Sequence, residues 1–207
     1  MKGTLYVLLI AATASAVELA PARRLSGAAP ALPPPTVVGW LEETVDVAVD
    51  ASGGARDVVV LRGTAPSPTL FGQVVSTWRF QPATVENRPV ASRVLVAALV
   101  RPPQLYDNAA LGVEPSDFAP APDEVPSPAA VHRPRYPPRA LGDAMVLVEV
   151  LVGADGRVRE ATVVQGAAGF NDEALDAARA WVFRPAHRNG ELVAVYAYLA
   201  FGFRQPV

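Results

Sequence analysis

A rare string recurs in this chain and constrains its fold more than any other feature. Trp78-Arg79-Phe80-Gln81-Pro82-Ala83 returns 103 residues later as Trp181-Val182-Phe183-Arg184-Pro185-Ala186. The same ungapped shift lays Pro34-Pro35 on Pro137-Pro138, Gly39 on Gly142, and Val45, Val47 and Val49 on Val148, Val150 and Val152. Gly53 falls on Gly156, Arg56 on Arg159, Val60 on Val163, Gly63 on Gly166 and Val90-Ala91 on Val193-Ala194. A tryptophan string held in register with alternating valines marks an internal duplication, so the chain is expected to build one small unit twice.

The second copy shows the pattern of that unit. Met145 to Val152 puts Val146, Val148, Val150 and Val152 on one face, the period of a half-buried strand. Asp155-Gly156 is a turn that needs positive φ, and Arg157 to Val164 is its returning partner. Gly166 to Gly169 breaks that strand. Asn171 is placed to cap a helix running to about Trp181, with Asp172 and Glu173 in the positive first turn. Phe170, Ala174, Leu175, Ala178 and Trp181 form its apolar side. After Pro185 and the turn at Asn189-Gly190, Leu192 to Phe203 reads as one long strand. The first copy repeats the order: Val45 to Asp50, Arg56 to Leu61, a helix opened by Ser67-Pro68, and a strand from Val90 to Val100. Proline suits the first helical position because no amide hydrogen is needed there.

Around these units the composition changes. The chain has 21 prolines in 207 residues, about twice the usual ~5%. They concentrate in Glu18 to Pro35 and in Pro102 to Pro134, which lack periodic apolar patterning and read as semi-rigid spacers. The second spacer carries Asp107, Glu114, Asp117, Asp123 and Glu124, acidity that reads as solvation. At the start, Lys2, the apolar run Leu5 to Ala12 and the small-x-small site Ala14-Ser15-Ala16 have the layout of an export signal cleaved after Ala16. The rival reading is a short uncleaved anchor, although a span needs ~20 apolar residues. The expected division is therefore a signal peptide at 1–16, a proline-rich segment at 17–35, a first module at 36–101, an acidic linker at 102–134 and a second module at 135–207.

Composition excludes several chemistries. There is no cysteine, so thiol catalysis, disulfides and cysteine-held metals are out. His132 and His187 are the only histidines, one in a linker and one in a turn, and both are expected to be exposed. The formal net charge is −2 with bases scattered along the chain, which gives no footprint for nucleic acid. No nucleophile triad, phosphate loop or metal spacing is visible. Neither an enzyme, a cofactor nor a small-molecule substrate is expected.

The second copy resembles a known family. Tyr136-Pro137-x-x-Ala140, Val146 to Val152, Asp155-Gly156-Arg157-Val158, Asn171-x-x-Ala174, Trp181-x-Phe183-x-Pro185-Ala186 and Gly190 are similar to the signature of the TonB C-terminal domain. The resemblance covers about residues 136–203, and residues 34–101 resemble a degenerate relative, with Pro33 where Tyr136 stands. It implies an α+β fold of two tandem modules, each a three-stranded antiparallel sheet (hairpin, helix, long last strand) packed on helices. It also implies a periplasmic, non-enzymatic partner-binding protein. Family members pair their last strand, at a sheet edge, with an extended peptide of an outer-membrane transporter. Carried over, the contacting residues would be Val193, Val195, Tyr196, Tyr198, Leu199 and Phe201 on the edge strand, and Arg133, Arg135 and Tyr136 before the domain. The chain departs from the pattern at Arg133, where the family commonly has a glutamine; arginine can donate to peptide carbonyls but cannot accept.

Some positions carry two readings. Trp181, Phe183 and Pro185 are expected in the core. Val193, Val195, Ala197, Leu199, Phe201 and Phe203 share one apolar face. Tyr196 and Tyr198 lie opposite with Ala194, Ala200 and Gly202, on a face covered either by the helix before the first strand or by a partner. Asp46 and Glu149 occupy equivalent strand positions and are expected to point outward. For function, the leading expectation is a periplasmic adaptor whose edge strand binds a protein, such as an outer-membrane transporter or another component of the TonB system. Its rivals are a short TonB-like energy transducer with an uncleaved anchor, and an envelope scaffold. In the scaffold, Val90 to Val100 and Val193 to Phe203 join into one sheet within the chain, raising their mutual concentration to the ~millimolar range.

Overall fold

The computed structural model describes residues 19–33, 40–63, 70–103, 114–115 and 123–206. The export signal, Pro34-Pro35, Gly39 and the Ser67-Pro68 helix start lie outside the described residues.

The N-terminal half holds β1 (Leu19–Ala20), β2 (Arg23–Ser26), β3 (Leu41–Val49), β4 (Ala55–Gly63), α1 (Leu70–Val75), β5 (Arg79–Gln81), β6 (Ala83–Val85), β7 (Arg88–Val90) and β8 (Ser92–Val100). The C-terminal half holds β9 (Glu114–Pro115), β10 (Ser127–Val131), β11 (Ala144–Val152), β12 (Val158–Gln165), α2 (Asn171–Ala180), β13 (Val182–Arg184), β14 (Ala186–Arg188), β15 (Glu191–Val193) and β16 (Val195–Phe203). From β3 to β8 the strand starts recur 103 residues later, from β11 to β16. The turns recur with them. Gly53 and Gly156 have φ 83° and 76°, and their carbonyls accept from the amides of Phe80 and Phe183 at 2.9 and 2.8 Å. Glu86-Asn87 and Asn189-Gly190 have positive φ at both residues, which is the turn that best fits a twisted two-residue hairpin.

Six strands form one mixed sheet in the order β12-β11-β16-β8-β3-β4. Each half supplies an antiparallel trio, and the trios meet through a parallel ladder from Ala197 opposite Leu95 to Gly202 opposite Val100. Strands related by a half-turn about an axis along their own direction run parallel and exchange faces. The two helices therefore cover opposite sides of the sheet. Phe170, Ala174, Ala177 and Ala178 pack with Val146, Val148, Val150 and with Leu95 and Leu99 of the other half. Phe71 and Val75 pack with Val45, Val47 and Val49, in a cluster that also takes in Leu147, Tyr198 and Ala200. The result is three layers with two cores, each built from both halves.

Several expectations are corrected. The segments read as spacers fold in part onto the sheet. β2 pairs with β5 (Arg23 opposite Gln81), and β10 pairs with β13 (Ser127 opposite Arg184). Trp78 Nε1 donates to the Ala28 carbonyl at 2.8 Å, and Trp181 Nε1 donates to that of His132 at 2.9 Å. Their prolines are tolerated because these strands are short and marginal. The long last strand is interrupted at Ala194, and its counterpart at Ala91, because a hairpin (β14–β15, β6–β7) precedes each. Asn171 does not cap α2: its Oδ1 accepts from the Ala167 amide at 2.9 Å, bracing the turn before the helix, and Phe170 is the N-cap without a side-chain bond. Asp46 and Glu149 do not point outward. Both are buried, because the reverse face of each trio is covered by the other half.

Candidate functional site

The expected binding edge is interior. β16 is bonded to β11 from Val195 to Phe203 and to β8 from Ala197 to Gly202. Val195, Tyr198, Leu199 and Phe201 are buried and Tyr196 is half-buried, while Val193 belongs to the preceding hairpin. A strand with neighbours on both sides has no free ladder for a peptide, so the expectation of an open edge at Val193 to Phe203 is overturned. The outer strands are β4 and β12, each paired on one side among the described residues. They carry Arg56, Asp57 and Arg62, and Arg159 and Glu160, charges of the kind that discourage edge-to-edge pairing.

The tyrosine face of β16 is covered by the N-terminal half. Trp78 packs edge-on to Tyr198 with ring centroids 5.5 Å apart. The Tyr198 hydroxyl donates to Glu149 Oε2 at 3.0 Å and accepts from the Arg24 amide. Glu149 Oε1 accepts from Arg23 Nε at 3.0 Å and Nη2 at 2.8 Å, and the Arg23 guanidinium lies 5.1 Å from the Tyr196 ring. Burial pushes the Tyr198 phenol above its usual range, and its hydrogen bond to Glu149 holds the Arg23 guanidinium above its own. The buried acid and phenol and the exposed Arg23 satisfy one another, which ties the first arm, residues 19–33, across the second trio. Further ties are Ala29 N to Gln165 Oε1 at 2.8 Å, and Arg204 bonded to the Pro33 carbonyl and to Asp143.

The residues before the C-terminal unit do not form one patch. Arg133 reaches Glu42 Oε1 at 3.0 Å and lies over Trp40, tying the second arm across the first trio. The Tyr136 hydroxyl donates to the Gly142 carbonyl at 2.8 Å, and its ring packs edge-on to Phe170. Arg135 is exposed. Arg133 and Tyr136 thus hold structure. His187 is exposed as expected, but His132 is half-buried, because its carbonyl receives Trp181.

Acids read from the sequence as a strand's outer face (Asp46) and as solvation (Glu124) are instead paired with arginines where β8 and β16 begin. Arg93 holds the buried Asp46, with Nε 2.8 Å from Oδ2. Glu124 lies beside it, its amide bonded to the His187 carbonyl at 2.7 Å and its carboxylate 3.3 Å from Arg188 Nη1. Burial raises the Glu124 carboxyl against the opposing pull of Arg188 and Arg93. The signal available in the sequence was a departure from the repeat. Arg93 corresponds to Tyr196 and Arg188 to Val85, and Glu124 corresponds to Ala20 one residue off the 103 shift. Elsewhere, Glu43 is buried on β3 with its carboxylate bonded to the Phe71 and Gly72 amides of α1, and burial raises it to about 7.

Among the described residues no group of acidic or histidine side chains is arranged to hold a metal, and no helix is long and apolar enough to cross a membrane. Residues 132–204 match the family model described as Gram-negative bacterial TonB protein C-terminal. The match begins at the residue whose carbonyl receives Trp181 and ends just past β16, so it spans the C-terminal trio with α2. No curated protein matches the chain.

Proposed function

We propose that this protein is a non-enzymatic protein-binding adaptor of the Gram-negative periplasm, in which two TonB-like units are fused through their last strands. The first unit is read as a degenerate relative of the second. The observation that carries this is the parallel ladder between β8 and β16, flanked by strands that recur in the same order with their starts 103 residues apart. A family strand that elsewhere waits at an edge is here spent on holding two halves together. Partner binding by this chain therefore uses another surface than β16. The export signal at Lys2 to Ala16 supports a periplasmic site of action.

Hydrogen exchange on the mature protein, combined with titration of an extended peptide of the transporter type, tests the fusion. The amides of Leu95 to Val100 and Ala197 to Gly202 should be among the slowest to exchange, and the peptide should leave β16 resonances in place. Fast exchange along β16, or a peptide-induced shift confined to it, would restore the open-edge reading. N-terminal sequencing tests location: the adaptor begins at Val17, whereas an intact Met1 in the inner-membrane fraction would replace it with the energy transducer.

A further inference from the structure

The ladder between β8 and β16 starts at Leu95 and Ala197, yet the strands begin at Ser92 and Val195. Before the ladder each strand pairs only outward, Ser92 to Val94 with β3, and Val195 and Tyr196 with β11. The splay leaves a narrow cleft of about 10 Å³, room for about one water, with Ala22, Val193, Val195 and Tyr196 on its apolar side, and Arg93, Arg188 and Glu124 at its polar end. It continues past Ser92 and Arg93 into an open hollow of about 540 Å³, and past Leu19 and Arg188 into another of about 250 Å³.

A side chain of the protein sits in this mouth as a ligand would. The Glu124 carboxylate accepts the Arg93 amide and lies 3.3 Å from Arg188. Glu124 has φ 73°, in the left-handed region that non-glycine residues seldom adopt. The Ser92 hydroxyl beside it is buried and has no hydrogen-bond partner among the described residues. The fold does not require this cluster, since the other half builds the same elements with Ala20, Val85, Tyr196 and Val195 in the corresponding places. A strained residue, a desolvated acid and an orphan hydroxyl meet in one cleft and have no counterpart in the repeat. That combination belongs to function rather than folding.

We propose that the mouth of the β8–β16 junction captures the C-terminal carboxylate of a partner protein with an apolar last residue, displacing the Glu124 carboxylate that stands in for it. The inference rests on the adaptor reading and gives that adaptor a recognition site. The incoming carboxylate takes the Arg188 guanidinium and the Arg93 amide, a charge-assisted pair of donors. The last side chain lies in the adjoining hollow of about 250 Å³, against Leu19, Val85 and Val193. The preceding residues leave along the splayed strands as an extended chain, the capture mode known for free C-termini.

Calorimetry on the mature full-length protein tests this with acetyl-Ala-Ala-Pro-Val as the free acid, as the amide, and with isovalerate as a small carboxylate. The free acid should bind, with the amide weaker by about tenfold or more. Glu124→Gln should tighten the free acid by about tenfold, because the site is no longer self-occupied. Arg188→Met should abolish binding. The double variant Glu124→Gln/Arg188→Met, which removes the pair together, should melt like the wild type and still not bind. Equal binding of acid and amide, no gain in Glu124→Gln, or no binding in any variant would overturn the proposal. Isovalerate competing as well as the tetrapeptide would overturn its peptide part. Failure here with β8 and β16 still protected from exchange sinks this inference alone and leaves the fused adaptor standing.

Discussion

At the scale of single residues, the buried charges separate what the sequence could tell from what it could not. Glu43 replaces the Val146 of the other half, and its carboxylate meets helix amides instead of water. Its carboxyl is raised from 4.5 to about 7, so the folded state holds a proton that the unfolded chain has released between those values. Stability from this group is thus full below about pH 4.5 and falls as pH rises through 7, by roughly 3 kcal/mol. Urea unfolding at pH 5 and pH 7.5 should show the drop, and Glu43→Gln should flatten it; an unchanged slope in the variant would assign the drop elsewhere. Tyr198 gives a second test. Tyr198→Phe leaves the Arg24 amide and Glu149 Oε2 without their partner, and should cost about 1–3 kcal/mol. The Arg24 amide should then exchange faster than its neighbours, and no change there would mean the arm is held by other contacts. Asp46 and Glu149 were legible as equivalent positions but not as buried ones. An acid alternating with valines reads as the solvent face of a strand unless the cover on that face is known, and here the cover comes from distant chain.

At the scale of elements, the hairpins, the C-terminal helix and the order of elements along each half were legible, because they follow from local chemistry. Valine alternation sets the strands, and Gly53, Gly156 and Asn189-Gly190 supply the φ values their turns demand. The two glycines face the same obstacle. A Cβ on Gly53 would lie 1.9 Å from the Phe80 carbonyl oxygen, and one on Gly156 the same distance from that of Phe183. Gly53→Ala and Gly156→Ala should each cost about 2–4 kcal/mol in thermal or urea unfolding, from positive φ and overlap together. Their losses should match within about 1 kcal/mol if the two hairpins do equivalent work, and a mild effect at one alone would break the structural equivalence of the halves. The arms were not legible. Their pairing repeats at 104 residues rather than 103, Arg23 with Gln81 against Ser127 with Arg184, so an ungapped comparison slides past them. High proline content then makes two short paired strands look like linker. The junction left one trace: the last strands are apolar on both faces, as buried parallel strands are, whereas a half-exposed edge would alternate.

At the scale of the whole molecule, neither half encloses its own core. The first arm, with Trp78 and Phe80, covers Leu147, Tyr198 and Ala200 of the second trio, while Arg133 reaches back to Glu42 and Trp40 of the first. Gly202 sits where these contacts converge: a Cβ there would come within 2.8 Å of Leu32 on the arm and 2.9 Å of Val100 on the parallel strand. The connection between the halves is therefore needed for stoichiometry and not for holding them together. A protease site inserted between residues 104 and 113 and cut after folding should leave both pieces in one noncovalent 1:1 complex, co-eluting at the volume of the intact protein. The C-terminal piece purified alone should self-associate, because Leu147, Tyr198 and Ala200 lose their cover, and adding the N-terminal piece should return it to the 1:1 species. With Gly202→Val the intact chain should still fold at a cost of about 1–3 kcal/mol, but the cut pieces should separate, since that side chain strikes the arm and the ladder together. Pieces that part readily in the wild type, each staying monomeric and folded, would show that the shared sheet is not what binds the halves.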